Sequence, residues 1–216
     1  MMLALAVTSA STQAQAEPAT INFIFPAAPP GTSLEGRLLV LLSTDDSDEP
    51  RNQIDPSVDT QLLFGIDIDE PEERNITLPM SAFRGYPLRT FAEVPAGEYS
   101  VQVVLHRYET VHRSDGKTLK LPMDRGVGQK WNRAPGNLYG RPAKLRFDPA
   151  KSLKLALDRV MSEIDPPKDT QYVKHVRVQS PLLTAFWGRP MFLSAHVLLP
   201  AGFDAHPEPT LAMIQA

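Results

Sequence analysis

The stretch 94-VPAGEYSVQVVLHRY-108 decides the fold class of this 216-residue chain. A proline and a glycine mark a turn, and the run after it places Val101, Val103 and Leu105 at every second position. A period of two is typical of a β-strand, whose successive side chains point to opposite faces of a sheet. Other runs of strand length are INFIF (21–25), GRLLVLLST (36–44), QLLFGIDID (61–69), NITLPM (75–80), AKLRFDP (143–149) and SLKLALDRV (152–160).

These runs, with no long amphipathic helical pattern, predict an all-β fold: an immunoglobulin-like antiparallel β-sandwich over residues 17–161. The composition agrees, because 21 prolines against 12 glycines interrupt helices and favour turns and strand ends. The run at 36–44 is apolar on both faces, which indicates a central strand. The runs at 143–149 and 152–160 indicate a closing strand pair around an Asp-Pro turn.

Composition also excludes several kinds of site. The chain has no cysteine, which removes disulfides, thiolate zinc sites and cysteine nucleophiles. A net charge of -3 provides no basic field for nucleic acid, so we expect no nucleic-acid partner. The sequence contains no G-x-S-x-G elbow, H-E-x-x-H pair, Walker loop or dinucleotide fingerprint.

The N-terminal residues 1–16 predict a signal peptide. A short apolar run at 3–7 is followed by small and polar residues and ends in the A-x-A pattern Ala14-Gln15-Ala16. No basic residue precedes the apolar run, so a disordered leader rich in Ala, Ser, Thr and Gln is the alternative. We expect a periplasmic or secreted protein, and no membrane span, because the run is far too short to cross a bilayer.

Residues 162–172, SEIDPPKDTQY, predict a polar, proline-rich connector. Two further strand-like runs follow, KHVRVQS and PMFLSAHVLLP, which predict a C-terminal extension of one or two strands within 173–216. We expect this extension to be poorly ordered or packed against the sandwich, because a lone strand pair is marginal by itself. Its exposed strand edges suggest a homodimer.

Three segments carry a resemblance to a known family: VPAGEYSVQVVLHRYETVHRSDG (94–116), LPMDRGVGQKWNRAPGNLYGRP (121–142) and DPPKDTQYVKHVRVQSPLLTAFWGRPMFLSAHVLLPAGFDAHPE (165–208). They resemble secreted bacterial esterases with an N-terminal immunoglobulin-like domain followed by an esterase-D-like α/β-hydrolase domain. The resemblance covers most of 20–208 and implies that 173–216 is the start of the hydrolase domain. After residue 208 the sequence departs from the family, which implies a truncation or frame change before the catalytic serine.

Two weak catalytic constellations remain. Ser194 and His196 lie two residues apart on a predicted strand, so they share a face, but a serine hydrolase also needs an orienting group and an oxyanion hole. His106 and His112, with Glu109 between them, would lie about 20 Å apart on a straight strand, too far for one metal unless a turn intervenes. Ordinary strand side chains are the alternative in both cases.

Carboxylates suggest a second kind of site. Asp45, Asp46 and Asp48 lie in one acidic loop, and Asp67 and Asp69 begin another that continues through Glu70, Glu72 and Glu73. Calcium takes six to eight oxygen ligands, which two such loops at one end of a sandwich would supply. A solvated acidic rim without a cofactor is the favoured alternative.

The loop WNRAPGNLYGRP (131–142) predicts a binding or docking face made by Trp131, Arg133, Asn137 and Tyr139. The segment AFWGRP would pair with this face through Phe186, Trp187 and Arg189. The alternative is a folded loop whose tryptophan closes the end of the sandwich.

Together these observations favour a non-catalytic N-terminal accessory domain whose partner is a hydrolase catalytic domain, as the resemblance implies. One alternative is a small stand-alone hydrolase of esters or lactones with an unfamiliar, metal-dependent site. Another is a module that binds carbohydrate or a protein partner through Trp131 and Tyr139. The sequence identifies neither a substrate nor an oligomeric state.

Overall fold

The computed structural model describes residues 17–27, 33–122, 130–165 and 167–203, and the backbone of 213–215. The strands are β1 (Thr20–Ile24), β2 (Gly36–Ser43), β3 (Leu62–Ile68), β4 (Asn75–Pro79), β5 (Arg84–Tyr86), β6 (Gly97–His112), β7 (Thr118–Pro122), β8 (Leu138–Tyr139), β9 (Ala143–Phe147), β10 (Leu153–Ala156), β11 (Arg159–Val160), β12 (Val173–Gln179), β13 (Phe192–Leu198) and β14 (Met213–Gln215). The α-helix α1 (Pro181–Trp187) connects β12 to β13. Three short 3-10 turns lie at Pro50–Asn52, Met80–Ala82 and Phe91–Glu93.

The predicted all-β sandwich is confirmed. One sheet has the order β4-β1-β10, and the other has β5-β3-β2-β6, with β9, β8 and β7 along the second edge of β6. The pairings are antiparallel except for β1 with β10. The strand order differs from that of antibody constant domains, in which the second strand belongs to the sheet of the first; sandwiches share architecture without sharing exact topology.

The central strand pair is β2 with β6. Their register runs from Gly36 opposite Arg107 to Ser43 opposite Ser100. The backbone approaches so closely at Gly36, where φ is 155°, that a Cβ would lie 2.2 Å from the His106 carbonyl oxygen. A side chain at this position would therefore displace the pair that holds the second sheet together.

The main core fills the space between the two sheets. The predicted inward face of β6, Val101, Val103 and Leu105, packs there with Phe64 of β3. The Phe64 ring stacks on Phe91 at 4.1 Å between centroids. Aromatic and branched side chains of both sheets, and Phe83 just before β5, complete the layer; the sheet residues are Ile21, Phe23, Leu38, Val40, Leu42, Phe147 and Leu155.

A smaller core covers the outer face of the second sheet. Leu39, Leu41, Val104 and Met161 form its buried centre, and Trp131 packs against it. This second layer explains why β2 is apolar on both faces, as the sequence predicts for a central strand.

The predicted hairpin of the runs at 143–149 and 152–160 does not form. β9 pairs with β6 in one sheet, whereas β10 pairs with β1 in the other, so the Asp-Pro turn carries the chain across the core. The second run also divides into β10 and β11. Local alternation predicts a strand but carries no information about its partner.

The C-terminal extension forms a separate sheet of order β12-β13-β14. Two of its strands match the predicted runs, but a helix and a third, short strand are additional. The helix has the local signals for its ends: Ser180 accepts from the Leu183 N–H, Pro181 begins the first turn, and Gly188 follows the last turn with φ 64°. In the described part of the chain, no helix is long and apolar enough to cross a membrane.

Candidate functional site

The candidate site is the contact between the C-terminal sheet and the hairpin of β6 and β7. The Arg189 guanidinium, just after α1, donates to the Glu109 carboxylate of β6. The Ser114 N–H at the hairpin tip donates to the Phe186 carbonyl of α1 at 2.8 Å. These contacts attach the extension to the sandwich through one turn and one hairpin.

Aromatic contacts reinforce this attachment. The Arg113 guanidinium carbon lies 4.8 Å from the Phe186 ring centroid and 5.8 Å from that of Trp187. Such cation–π pairs are stronger where water is partly excluded, and the Arg113 side chain is only 25% exposed. A Cβ at Gly188 would lie 2.9 Å from the His112 carbonyl oxygen, so this turn needs glycine for both its φ angle and its close approach.

The C-terminal sheet has one apolar face. Val176, Val178 and Leu193 are 42%, 57% and 58% exposed there, and the cross-strand register places Val178 opposite Leu193. The opposite face is mixed: it carries His175 and Arg177 of β12 opposite His196 and Ser194 of β13, together with the exposed Phe192 and Leu198. A strand pair with this much exposed apolar surface buries little of its own.

Ser194 and His196 share a face, as predicted, but are not arranged for catalysis. Both are exposed, and among the described residues no hydrogen bond joins Ser194 to an imidazole. His196 instead contacts His175, with ring centroids 4.4 Å apart. A nucleophile activated by a base requires that missing hydrogen bond.

His106 and His112 do not converge. Both belong to the continuous strand β6, six residues apart, which corresponds to about 20 Å. His106 is 8% exposed, its Nε2 has no partner within the described residues, and burial lowers its pKa. His112 is exposed and its Nδ1 is 3.1 Å from the Thr118 hydroxyl.

The acidic loops lie at opposite ends of one strand pair. Asp45, Asp46 and Asp48 follow the end of β2, whereas Asp67 of β3 pairs with Arg37 near the start of β2. The length of β2 separates these ends by roughly 25 Å. The two loops therefore do not lie at one end of the sandwich, as a shared calcium ion would require.

Each of these carboxylates already has protein partners. The Ser47 backbone N–H and hydroxyl donate to Asp45, and Asn52 donates to Asp48; these hydrogen bonds lower both pKa values. Lys144 binds Asp46, and Lys120 binds Asp69 and lowers its pKa. Across the described ranges, no group of three or more His, Cys, Asp or Glu side chains is placed to hold a metal ion.

The loop at 131–142 is used largely within the sandwich. Trp131 packs on the outer core, and Arg51 lies over the Tyr139 ring at 4.4 Å. Asn137 is fully buried, where it accepts from the Arg107 N–H and donates to the Trp131 carbonyl. Arg133 and Arg141 are exposed. This loop presents no aromatic strip, and it closes one face of the sandwich.

Trp187 and Arg189, predicted to pair with the face around Trp131, lie elsewhere in the structure. They contact Arg113 and Glu109 of the β6–β7 hairpin rather than the face around Trp131. The sequence interpretation missed Arg113, and it missed the pairing of His175 with Asp169 and His196. The Ser-Pro and Gly signals at 180–188 would have identified the helix, but no local signal identifies its partner.

Comparisons with known proteins found no match: no protein-family model, no curated protein and no solved structure matches the chain.

Proposed function

We propose that this protein is a non-catalytic, exported accessory module that positions an esterase-like α/β-hydrolase domain. The observation that carries the proposal is the C-terminal sheet, which contacts the sandwich and whose apolar face is exposed among the described residues. The resemblance of 165–208 to the connector and first strand of secreted esterases supports the identity of the partner.

The attachment is suited to positioning. Arg189 and Glu109 are 30% and 25% exposed, so their ion pair is partly shielded from water and fixes the turn after α1. The Ser114–Phe186 backbone hydrogen bond fixes the helix itself. A domain built on β12 and β13 would thereby acquire a defined orientation relative to the sandwich.

The open face is suited to a covering layer. Val176, Val178 and Leu193 form an apolar patch on one side of the sheet, while the other side carries polar and charged side chains beside Phe192 and Leu198. Strands of α/β domains are covered on both faces, and helices of the hydrolase domain would supply the cover here.

Catalysis is tested by turnover of the chain from Glu17 onward on a short-chain p-nitrophenyl ester and a simple lactone, with and without EDTA. We expect hydrolysis rates equal to those measured in buffer without protein. Turnover that is abolished by Ser194→Ala, His106→Ala or EDTA would contradict the proposal and favour a stand-alone hydrolase.

Docking is tested by adding an esterase-D-like catalytic domain that lacks its own N-terminal domain and measuring complex formation by sedimentation. Val178→Lys places a charge on the apolar face of the sheet. Gln179→Lys places the same charge on the opposite face, at the adjacent position of β12. We expect binding that Val178→Lys abolishes and Gln179→Lys preserves. Absence of binding, or equal loss in both variants, would refute the docking proposal.

A further inference from the structure

A histidine pair connects the two long strands of the C-terminal sheet. His175 of β12 lies directly opposite His196 of β13, and their rings are 4.4 Å apart at an interplanar angle of 85°. This centroid separation lies just below the range for two imidazoles that bind one metal ion. With ligand nitrogens about 2.0–2.1 Å from zinc, two imidazoles at ligand–metal–ligand angles of 90–110° have centroids about 4.5–5.2 Å apart.

Asp169 contacts one of these imidazoles, that of His175. Its Oδ1 accepts the His175 backbone N–H at 2.9 Å and lies 3.3 Å from His175 Nδ1. In the tautomer with its proton on Nδ1, the His175 ring donates to this carboxylate oxygen. The lone pair is then on Nε2, in the carboxylate–histidine arrangement that orients imidazoles toward metals.

One basic side chain of β12 shares the face of the histidine pair. Arg177 lies on the same face, but its guanidinium carbon is 4.1 Å from the ring centroid of Phe192. Phe192 is paired with Gln179, farther along the strands than the histidine pair. Lys174 belongs to the opposite face of β12. His196 itself is exposed, so an ion has access from solvent.

We propose that His175 and His196 bind one divalent transition-metal ion, such as Zn²⁺, Ni²⁺ or Cu²⁺, with Asp169 as the orienting residue. Imidazole is a preferred ligand of these ions. Two protein ligands leave the remaining positions to water, as in open rather than closed zinc sites. The bound ion cross-links β12 to β13 and stabilises a sheet that has little core of its own. This proposal is independent of the proposed function.

The test is titration of tag-free protein with Zn²⁺ by calorimetry, together with the thermal midpoint at each Zn²⁺ concentration. We expect one ion per chain and a midpoint that rises with Zn²⁺. His175→Ala and His196→Ala should each weaken binding at least tenfold, and Asp169→Asn should weaken it about 10- to 100-fold. These side chains are outside the main core, so the variants should keep the circular dichroism of the parent.

The matched control is His112→Ala, which removes an exposed histidine of the sandwich and should leave Zn²⁺ affinity unchanged. The proposal is overturned if the parent shows no saturable binding, which would make the pair a ring contact only. It is also overturned if binding persists in the double variant, or if His112→Ala weakens binding as much as His196→Ala does.

Discussion

The sandwich and the C-terminal sheet are built from the same apolar residue types with opposite results. Leu38 of β2 is 0% exposed, whereas Leu193 of β13 is 58% exposed. The opposing sheet covers one face of β2 and the 131–142 loop with Met161 covers the other. The apolar face of β12 and β13 has no comparable layer among the described residues. Burial is therefore decided by what packs on a strand and not by the composition of the strand.

The largest predicted difference between the sandwich and the C-terminal sheet comes from making the same Leu→Ala substitution in both. Leu38→Ala should cost about 2–5 kcal/mol in free energy of unfolding, because it leaves a cavity in a closed core. Leu193→Ala should change it by less than about 0.5 kcal/mol, because the side chain is largely solvated. Urea denaturation measures both. Equal costs would mean that another layer covers the apolar face in solution.

The attachment between the two regions gives an intermediate effect. Arg189→Gln and Glu109→Gln should each weaken docking of the C-terminal sheet by about 1–2 kcal/mol, since each removes a charge-assisted hydrogen bond that is partly shielded. Subtilisin cleavage of the connector at 162–172 should then accelerate roughly 5- to 30-fold.

The control for this prediction is Arg146→Gln. Its nitrogen lies 4.0 Å from Glu98, both side chains are more than 70% exposed, and such pairs contribute little. Combining Arg189→Gln with Glu109→Gln should add less than the sum of the single effects. Additive effects would show that the two residues act on separate partners.

The smallest predicted effect is on the pH dependence of the free energy of unfolding, and it concerns the sandwich alone. Burial lowers the pKa of His106 below its unfolded value of about 6.5. As pH falls through 6.5, the unfolded chain therefore binds more protons than the folded chain, and stability falls with pH. Well above pH 6.5 the ring is neutral in both states and contributes no pH dependence.

His106→Leu should make this part of the stability profile flatter, as measured by urea denaturation at pH 7.5 and pH 5. His112→Gln removes an exposed histidine and serves as the comparison, since the buried imidazole is still present. A parent-like slope in His106→Leu would assign the pH dependence to other groups.

The sequence predicts faces better than it predicts partners. The alternation at Val101, Val103 and Leu105 identifies the inward face of β6 because the period of two is a local property. The same rule cannot place β9 and β10 in different sheets, because strand pairing depends on contacts far apart in sequence.

The candidate site shows the same division. The sequence marks Trp187 and Arg189 as docking residues, but their contacts with Arg113 and Glu109 depend on how the extension meets the hairpin. The His175–His196 pair requires the register of β12 with β13, which no local pattern encodes. The separation of Asp45 from Asp67 is predictable from the sequence, because antiparallel pairing of β2 with β3 puts these residues at opposite ends of the strand pair.

The 16-residue strand β6 has a further consequence for amide hydrogen exchange. Its central residues pair on both edges, with β2 on one side and with β9 and β8 on the other, whereas residues 109–112 pair only with β7 among the described strands. We expect the central amides to exchange through global unfolding and the hairpin amides through a local opening of lower free energy. We therefore expect the hairpin that contacts the C-terminal sheet to open locally while the sandwich stays folded.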